Sequence, residues 1–204
     1  DFDKSVTAWH EAGHTLMALL EPDADPPVHV SIVPRGPAGG VTWMAAGDEI
    51  FRTRSKAWAS LSVAMGGRAA EKILLDGEFT SGASGDLRNA TSQVHQMIGL
   101  YGLEPGRLSV SESTEHLREH TEQILARAAA RADEVLGFYV EPLRALACAL
   151  LSETELDRDG IRQVLATAGF DPDVLSREMI DRFGPPAPSL VDLSGPPAGV
   201  SARV

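Results

Sequence analysis

One cysteine, Cys148, stands alone in 204 residues, so no internal disulfide framework can staple the fold. It falls in the apolar run ALACALL, which points to a small buried hydrophobe rather than a nucleophile. A reducing compartment fits this usage but is not demanded by it. Positive charge is also scarce. Lys and Arg number 18 against 29 Asp and Glu, a net charge of -11, and no basic cluster occurs. That balance argues against nucleic acid or an anionic membrane surface as partner. No apolar run reaches the ~18–20 residues needed to span a bilayer, and no secretory leader is visible. No G-x-x-x-x-G-K-[ST] phosphate loop is present either, so nothing in this stretch is expected to work with ATP. The chain opens on Asp1 rather than Met, and an upstream part is expected to have been removed, by the experimenter or by the cell. A cytoplasmic location is expected, with membrane association only through such an upstream part.

What is there is an ordinary globular balance, 43% hydrophobic and 23% charged, long enough to bury a core without staples. Residues 4–20 read as a helix with Val6, His10, Gly13, Met17 and Leu20 in phase, and Pro22 forces Glu21 out of it. VHVSIVP (28–34) and VTWMAA (41–46) read as strands joined by the turn RGPAGG. Residues 54–75 form a helix despite an interior Gly66-Gly67. That pair costs roughly 1 kcal/mol per Gly relative to Ala, and a close backbone contact would explain keeping it. A Gly/Ser loop at 80–86 leads into a helix from about Ser84 to Leu100. Helices at 114–137, 141–151, 159–168 and 172–183 follow. Asp171-Pro172 starts the last of them and Gly184 ends it. The proline-rich stretch 185–204 reads as a disordered tail. The expected fold is α+β and mostly helical. A small strand unit lies among the helices of a core (1–110), and a helical part of the same domain follows (111–184).

The stretch AWHEAGHTLMALLE carries the chemistry. Residues four apart share one helix face, so His10 and His14 can aim ring nitrogens at one ion. Glu11 is rotated by about a third of a turn and can stand beside that ion without binding it. This is the logic of H-E-x-x-H: two nitrogen ligands for zinc and a carboxylate that takes a proton from water. The bland reading is a helix face with two spaced histidines. Against it, His10 lies on the apolar side, where an unsatisfied imidazole is costly. A catalytic zinc needs a third protein ligand. Leu20 occupies the position where the metzincin pattern requires histidine, so that pattern fails. Glu71, Glu78 and Asp86 all remain candidates. Glu71 is equally readable as a surface charge or an ion-pair partner of Arg68, and Asp86 as a helix-dipole acid.

HEAGH, VSIVPRG, GGVTW, GGRAAEKIL and TSGASGDLRNAT occur in this order. Together they resemble the peptidase domain of FtsH-type ATP-dependent zinc metalloproteases, over roughly residues 5–170. The resemblance implies that His10, His14 and Asp86 bind Zn2+ and that Glu11 is the catalytic base. It implies an endopeptidase acting on unfolded polypeptide laid beside a strand near the metal, with VHVSIVP and GGVTWMA as candidates. It also implies a homo-hexamer and an ATPase module as partners. The segment after LYGLEPG looks shorter than is usual for the family, which bears on substrate range. Two other readings remain: a stand-alone processing peptidase for a specific peptide, and a peptidase-like scaffold without turnover.

The remaining singled-out residues read blandly. His116 and His120 sit on a charged, solvated helix face. His95 falls near the zinc helix or faces water, and His29 carries no signal. Trp43 either shapes the cleft or is a half-buried strand aromatic. Asp157 and Asp159 read as capping and turn residues.

Overall fold

A computed structural model describes residues 2–34, 39–45, 51–104 and 114–187. Its elements, in chain order, are α1 (Phe2–Leu20), β1 (Pro27–Ser31), β2 (Val41–Met44), α2 (Arg54–Leu74), a 3-10 turn at Ser81–Ala83, and α3 (Ser84–Gly99). They continue with α4 (Thr114–Phe138), α5 (Val140–Glu153), β3 (Glu155–Asp157), α6 (Arg158–Thr167) and α7 (Pro172–Phe183). The fold is therefore mostly helical α+β, as the pattern of the sequence implied. The segment after LYGLEPG falls largely outside the described residues, as do four residues of the RGPAGG turn and the tail from residue 188 on.

α1 is the central helix. It is buried on almost every side, from Val6 through Leu20, as a helix at the middle of a core must be. α2 lies along it, and glycine allows the two backbones to touch. A Cβ on Gly66 would stand 2.7 Å from the Gly13 carbonyl oxygen, and one on Gly13 would collide with the Gly66 carbonyl. The close backbone contact expected of the glycine pair is thus real. α5 covers another side of α1 and α4 packs on α2. One hydrophobic core runs from Ala8 and Leu16 through Trp58, Leu61 and Leu136 to Leu150, Leu165 and Met179.

The sheet has the order β2-β1-β3, antiparallel throughout. The three-residue β3 was not legible in the sequence, being too short to show alternation. Asp157, at its end, does act as the cap expected of it, accepting the Gly160 N–H at 2.8 Å to start α6. Asp171 caps α7, and Gly184 closes it at φ 71°. Cys148 corrects the sequence reading. It is exposed, because Leu143, Leu146, Ala147 and Leu150 take the inward stripe of α5.

A buried ion pair ties α4 to the ends of α1 and α7. Arg131 on α4 reaches Glu21, just past α1, with contacts of 2.5 and 3.1 Å, and also donates to the Phe183 and Gly184 carbonyls at the end of α7.

Candidate metal centre

The packing of α1 on α2 and α3 brings His10, His14 and Asp86 together. One ligating atom from each lies within 4.8 Å of the others. His10 Nε2 is 3.0 Å from His14 Nε2 and 3.1 Å from Asp86 Oδ2, and His14 Nε2 is 3.5 Å from the same oxygen. A tetrahedral zinc with bonds of about 2.0–2.1 Å sets its ligands roughly 3.3–3.4 Å apart, so the spacing suits that ion.

Each histidine is held from behind. His14 Nδ1 donates to the Val63 carbonyl at 2.8 Å. A carbonyl can only accept, so Nδ1 carries the proton and Nε2 presents its lone pair. His10 Nδ1 lies 2.7 Å from Glu71 Oε1, and the Glu71 side chain is fully buried. Glu71 Oε2 accepts the Thr80 N–H at 2.6 Å, which links α2 to the loop that delivers Asp86. Two nitrogens and a carboxylate oxygen, with both rings fixed from the outer side, are a donor set that fits a zinc ion with a fourth position open.

Of the three carboxylates open at the sequence level, only Asp86 stands on the Nε2 side of His10. Glu71 stands on the opposite side of that ring, and Glu78 is exposed past the end of α2. The Glu71–Arg68 ion pair considered from the sequence is not found. Arg68 instead stacks on the Phe79 ring, 3.6 Å from its centroid.

The electrostatics follow from this crowding. Burial disfavours a charged His10, but the Asp86 and Glu71 carboxylates outweigh it and raise its pKa from 6.5 to about 9. Burial likewise opposes charge on Asp86, yet hydrogen bonds from His10 and His14 hold it well below the usual carboxylate range. Glu71 is also lowered: burial acts against it, and the His10 and Thr80 contacts prevail.

Glu11, on the same helix, turns toward β2 and is 6% exposed. Its Oε2 accepts the Thr42 hydroxyl at 2.7 Å. Two glycines keep the site clear. A Cβ on Gly40 would stand 2.8 Å from Glu11 Oε1, and one on Gly67 would stand 2.5 Å from His10 Nε2 and 2.6 Å from His14 Nε2. A cleft of about 910 Å³ opens over the centre, bounded by β2 on one side and by α2 and α3 on the other.

A model of peptidase family M41 matches residues 1–164. The chain belongs to peptidase family M41. Curated relatives of this M41 chain include the ATP-dependent zinc metalloprotease FtsH of Syntrophotalea carbinolica, 35% identical over 83% of this chain and 30% of the relative. FtsH 4 of Sphaerobacter thermophilus is 38% identical over 81% of the chain and 28% of the relative. FtsH of Veillonella parvula is 34% identical over the whole chain and 34% of the relative. The M41 chain thus spans about a third of the length of these relatives.

The other described residues singled out in the sequence stand apart from the centre, and the His116 side chain lies outside the described ones. His95 is exposed on α3 and His120 half-buried on α4. Trp43 is half-buried with its ring edge-on to His29, centroids 4.9 Å apart. It does not line the cleft, whereas Val41, Thr42 and Met44 do. Sequence reasoning passed over Thr42, Gly40 and the Val63 carbonyl. Gly67 was signalled by its cost inside a helix, but the sequence did not say that its neighbours would be the two histidines. Among the described residues no single helix is long and apolar enough to cross a membrane.

Proposed function

We infer that this M41 domain is a zinc-dependent endopeptidase in which His10, His14 and Asp86 hold the ion and Glu11 is the general base. The observation that carries the reading is the convergence of the two Nε2 atoms and Asp86 Oδ2 beside a carboxylate that is not itself among the ligands. A zinc ion held there supplies Lewis acidity, acidifying water to a pKa near 7 and polarising a peptide carbonyl. Glu11 takes the proton from the attacking water and returns it to the leaving amine nitrogen. Glu71 and the Val63 carbonyl keep the two rings aimed at the ion, and Gly67 and Gly40 keep bulk out of the path.

Among the described residues β2 is an edge strand of the sheet, and it borders the cleft. An extended polypeptide adding to that edge gains backbone hydrogen bonds without its sequence being read, which suits unfolded substrates. For the whole protein, by analogy with relatives named ATP-dependent, the substrate is threaded in by an ATPase module working as a ring.

The test is hydrolysis of an unfolded, fluorescently labelled protein by this chain with zinc and without ATP, beside Glu11→Gln. Cleavage by the native chain and a loss of about 10²–10⁴-fold in the variant, with zinc content equal, is the expected result. Equal rates for the two proteins would remove Glu11 from the mechanism. No turnover by the zinc-loaded native chain on any unfolded substrate would refute the endopeptidase reading for this domain.

A further inference from the structure

We propose that Thr42 is a positioning residue that couples the seating of substrate on β2 to the orientation of Glu11; this rests on the reading of Glu11 as general base. Two observations meet in this one residue. The first is its side chain. The Thr42 hydroxyl lies 2.7 Å from Glu11 Oε2, 3.3 Å from the Glu11 carbonyl and 3.5 Å from the Thr15 hydroxyl. The Thr15 hydroxyl is already committed as donor to the same Glu11 carbonyl at 2.8 Å. The shortest contact directs the Thr42 O–H to Glu11 Oε2, with the hydroxyl donating and the carboxylate oxygen accepting. Among the described residues, the Thr42 hydroxyl is the hydrogen-bond partner of the Glu11 carboxylate. Gly40 packs close against the Glu11 Cγ and Oε1 but offers no side-chain hydrogen bond.

The second observation is the backbone. Ile32 N–H donates to the Thr154 carbonyl on the β3 side at 2.9 Å. Backbone groups alternate between the two edges of a strand, so Val30 also faces β3, while His29 and Ser31 face β2. Their partners there are Trp43 and Val41. The Ala45 N–H, in phase with these two, bonds inward to the Pro26 carbonyl at 2.8 Å. Thr42 and Met44 are left with their N–H and C=O groups on the outer edge of β2, which no strand among the described residues pairs.

Thr42 thus presents backbone to the substrate and hydroxyl to the base. A polypeptide that pairs with the edge fixes the φ and ψ of Thr42, and through its hydroxyl the rotamer of Glu11. Proton transfer depends on geometry at the level of tenths of an ångström, so the coupling acts on the chemical step rather than on substrate affinity.

The experiment compares native chain, Thr42→Val and Thr42→Ser, all zinc-loaded. Valine keeps the β-branched strand shape and removes the hydroxyl, and serine restores it. The expected result on an internally quenched unfolded peptide is a kcat about 10- to 30-fold lower in Thr42→Val, a modest share of the 10²–10⁴ that a general base contributes. KM and bound zinc stay within about 2-fold, and Thr42→Ser recovers most of the rate. A crystal structure of each zinc-loaded variant gives a readout independent of turnover: Glu11 in one rotamer in the native chain and Thr42→Ser, displaced or split in Thr42→Val. An unmoved Glu11 in Thr42→Val, an unchanged kcat, or a raised KM at constant kcat overturns the proposal. A zinc-loaded native chain without turnover would defeat the endopeptidase reading, and the crystallographic arm would still decide whether Thr42 positions Glu11.

Discussion

Gly67→Ala adds one methyl group and should remove the metal. The new Cβ would lie 2.5 Å from both His10 Cε1 and His10 Nε2, and 2.6 Å from His14 Nε2. Ordinary contacts of this kind stand at about 3.5 Å or more, so the rings would have to retreat by about 1 Å. Neither ring can. Glu71 holds His10 at 2.7 Å and Val63 holds His14 at 2.8 Å from the outer side, and α2 is pinned to α1 at Gly13 and Gly66. Metal–ligand distances tolerate only about 0.2 Å. Loss of one outer-shell partner typically costs 10–100-fold in affinity, so displacing two ligands should cost at least about 100-fold. Stability of the metal-free chain should change less, because overpacking costs about 1–3 kcal/mol while alanine in a helix returns up to about 1 kcal/mol. Gly137→Ala is the control. That glycine lies in α4 with open space around it, so the variant should bind zinc normally and gain a few tenths to about 1 kcal/mol. Competition with a chromophoric chelator measures the affinity and urea denaturation the stability. Zinc binding by Gly67→Ala within about 3-fold of the native chain would refute the packing argument.

The remaining predictions concern charge. Glu71→Ala leaves His10 Nδ1 and the Thr80 N–H without their partner, so zinc affinity should fall about 10–100-fold in the same chelator assay, with Asp86 still in place. In the metal-free protein His10 is protonated up to about pH 9, so zinc should displace close to one proton from it at pH 7.5 and progressively less above pH 9. Calorimetry in buffers of different ionisation enthalpy counts that proton. The same raised value means that His10 stabilises the metal-free fold fully below about pH 6.5 and loses that contribution as pH rises through 9. The melting temperature of the metal-free chain should therefore be lower at pH 10 than at pH 7. Arg131→Met leaves the fully buried Glu21 side chain without its cation and should destabilise by about 3–5 kcal/mol. Pairing it with Glu21→Leu should recover most of the loss, as read by denaturant unfolding.

The helices, the first two strands and the candidate metal-binding face of α1 were all legible in the sequence, because each rests on local rules. Period and caps mark the elements, and the i, i+4 spacing of His10 and His14 puts both on one face whatever surrounds it. The glycine pair in α2 announced a close contact by its own cost. The burial of Cys148 was misread because an apolar run on a helix does not say which of its positions faces inward. The choice among Glu71, Glu78 and Asp86 stayed open to spacing alone, since all three are distant in sequence from α1. Only the packing of α2 and α3 against it puts Glu71 and Asp86 on opposite sides of the His10 ring and leaves Glu78 away from it. The bond between Thr42 and Glu11 spans 31 residues and leaves no periodic trace. The sequence by itself determined which groups could bind a metal and move a proton, because those are properties of residue type and local geometry. Tertiary structure decided which oxygen faces which nitrogen, what holds each ring, and how near the backbone of a second helix comes, because long-range packing sets those distances.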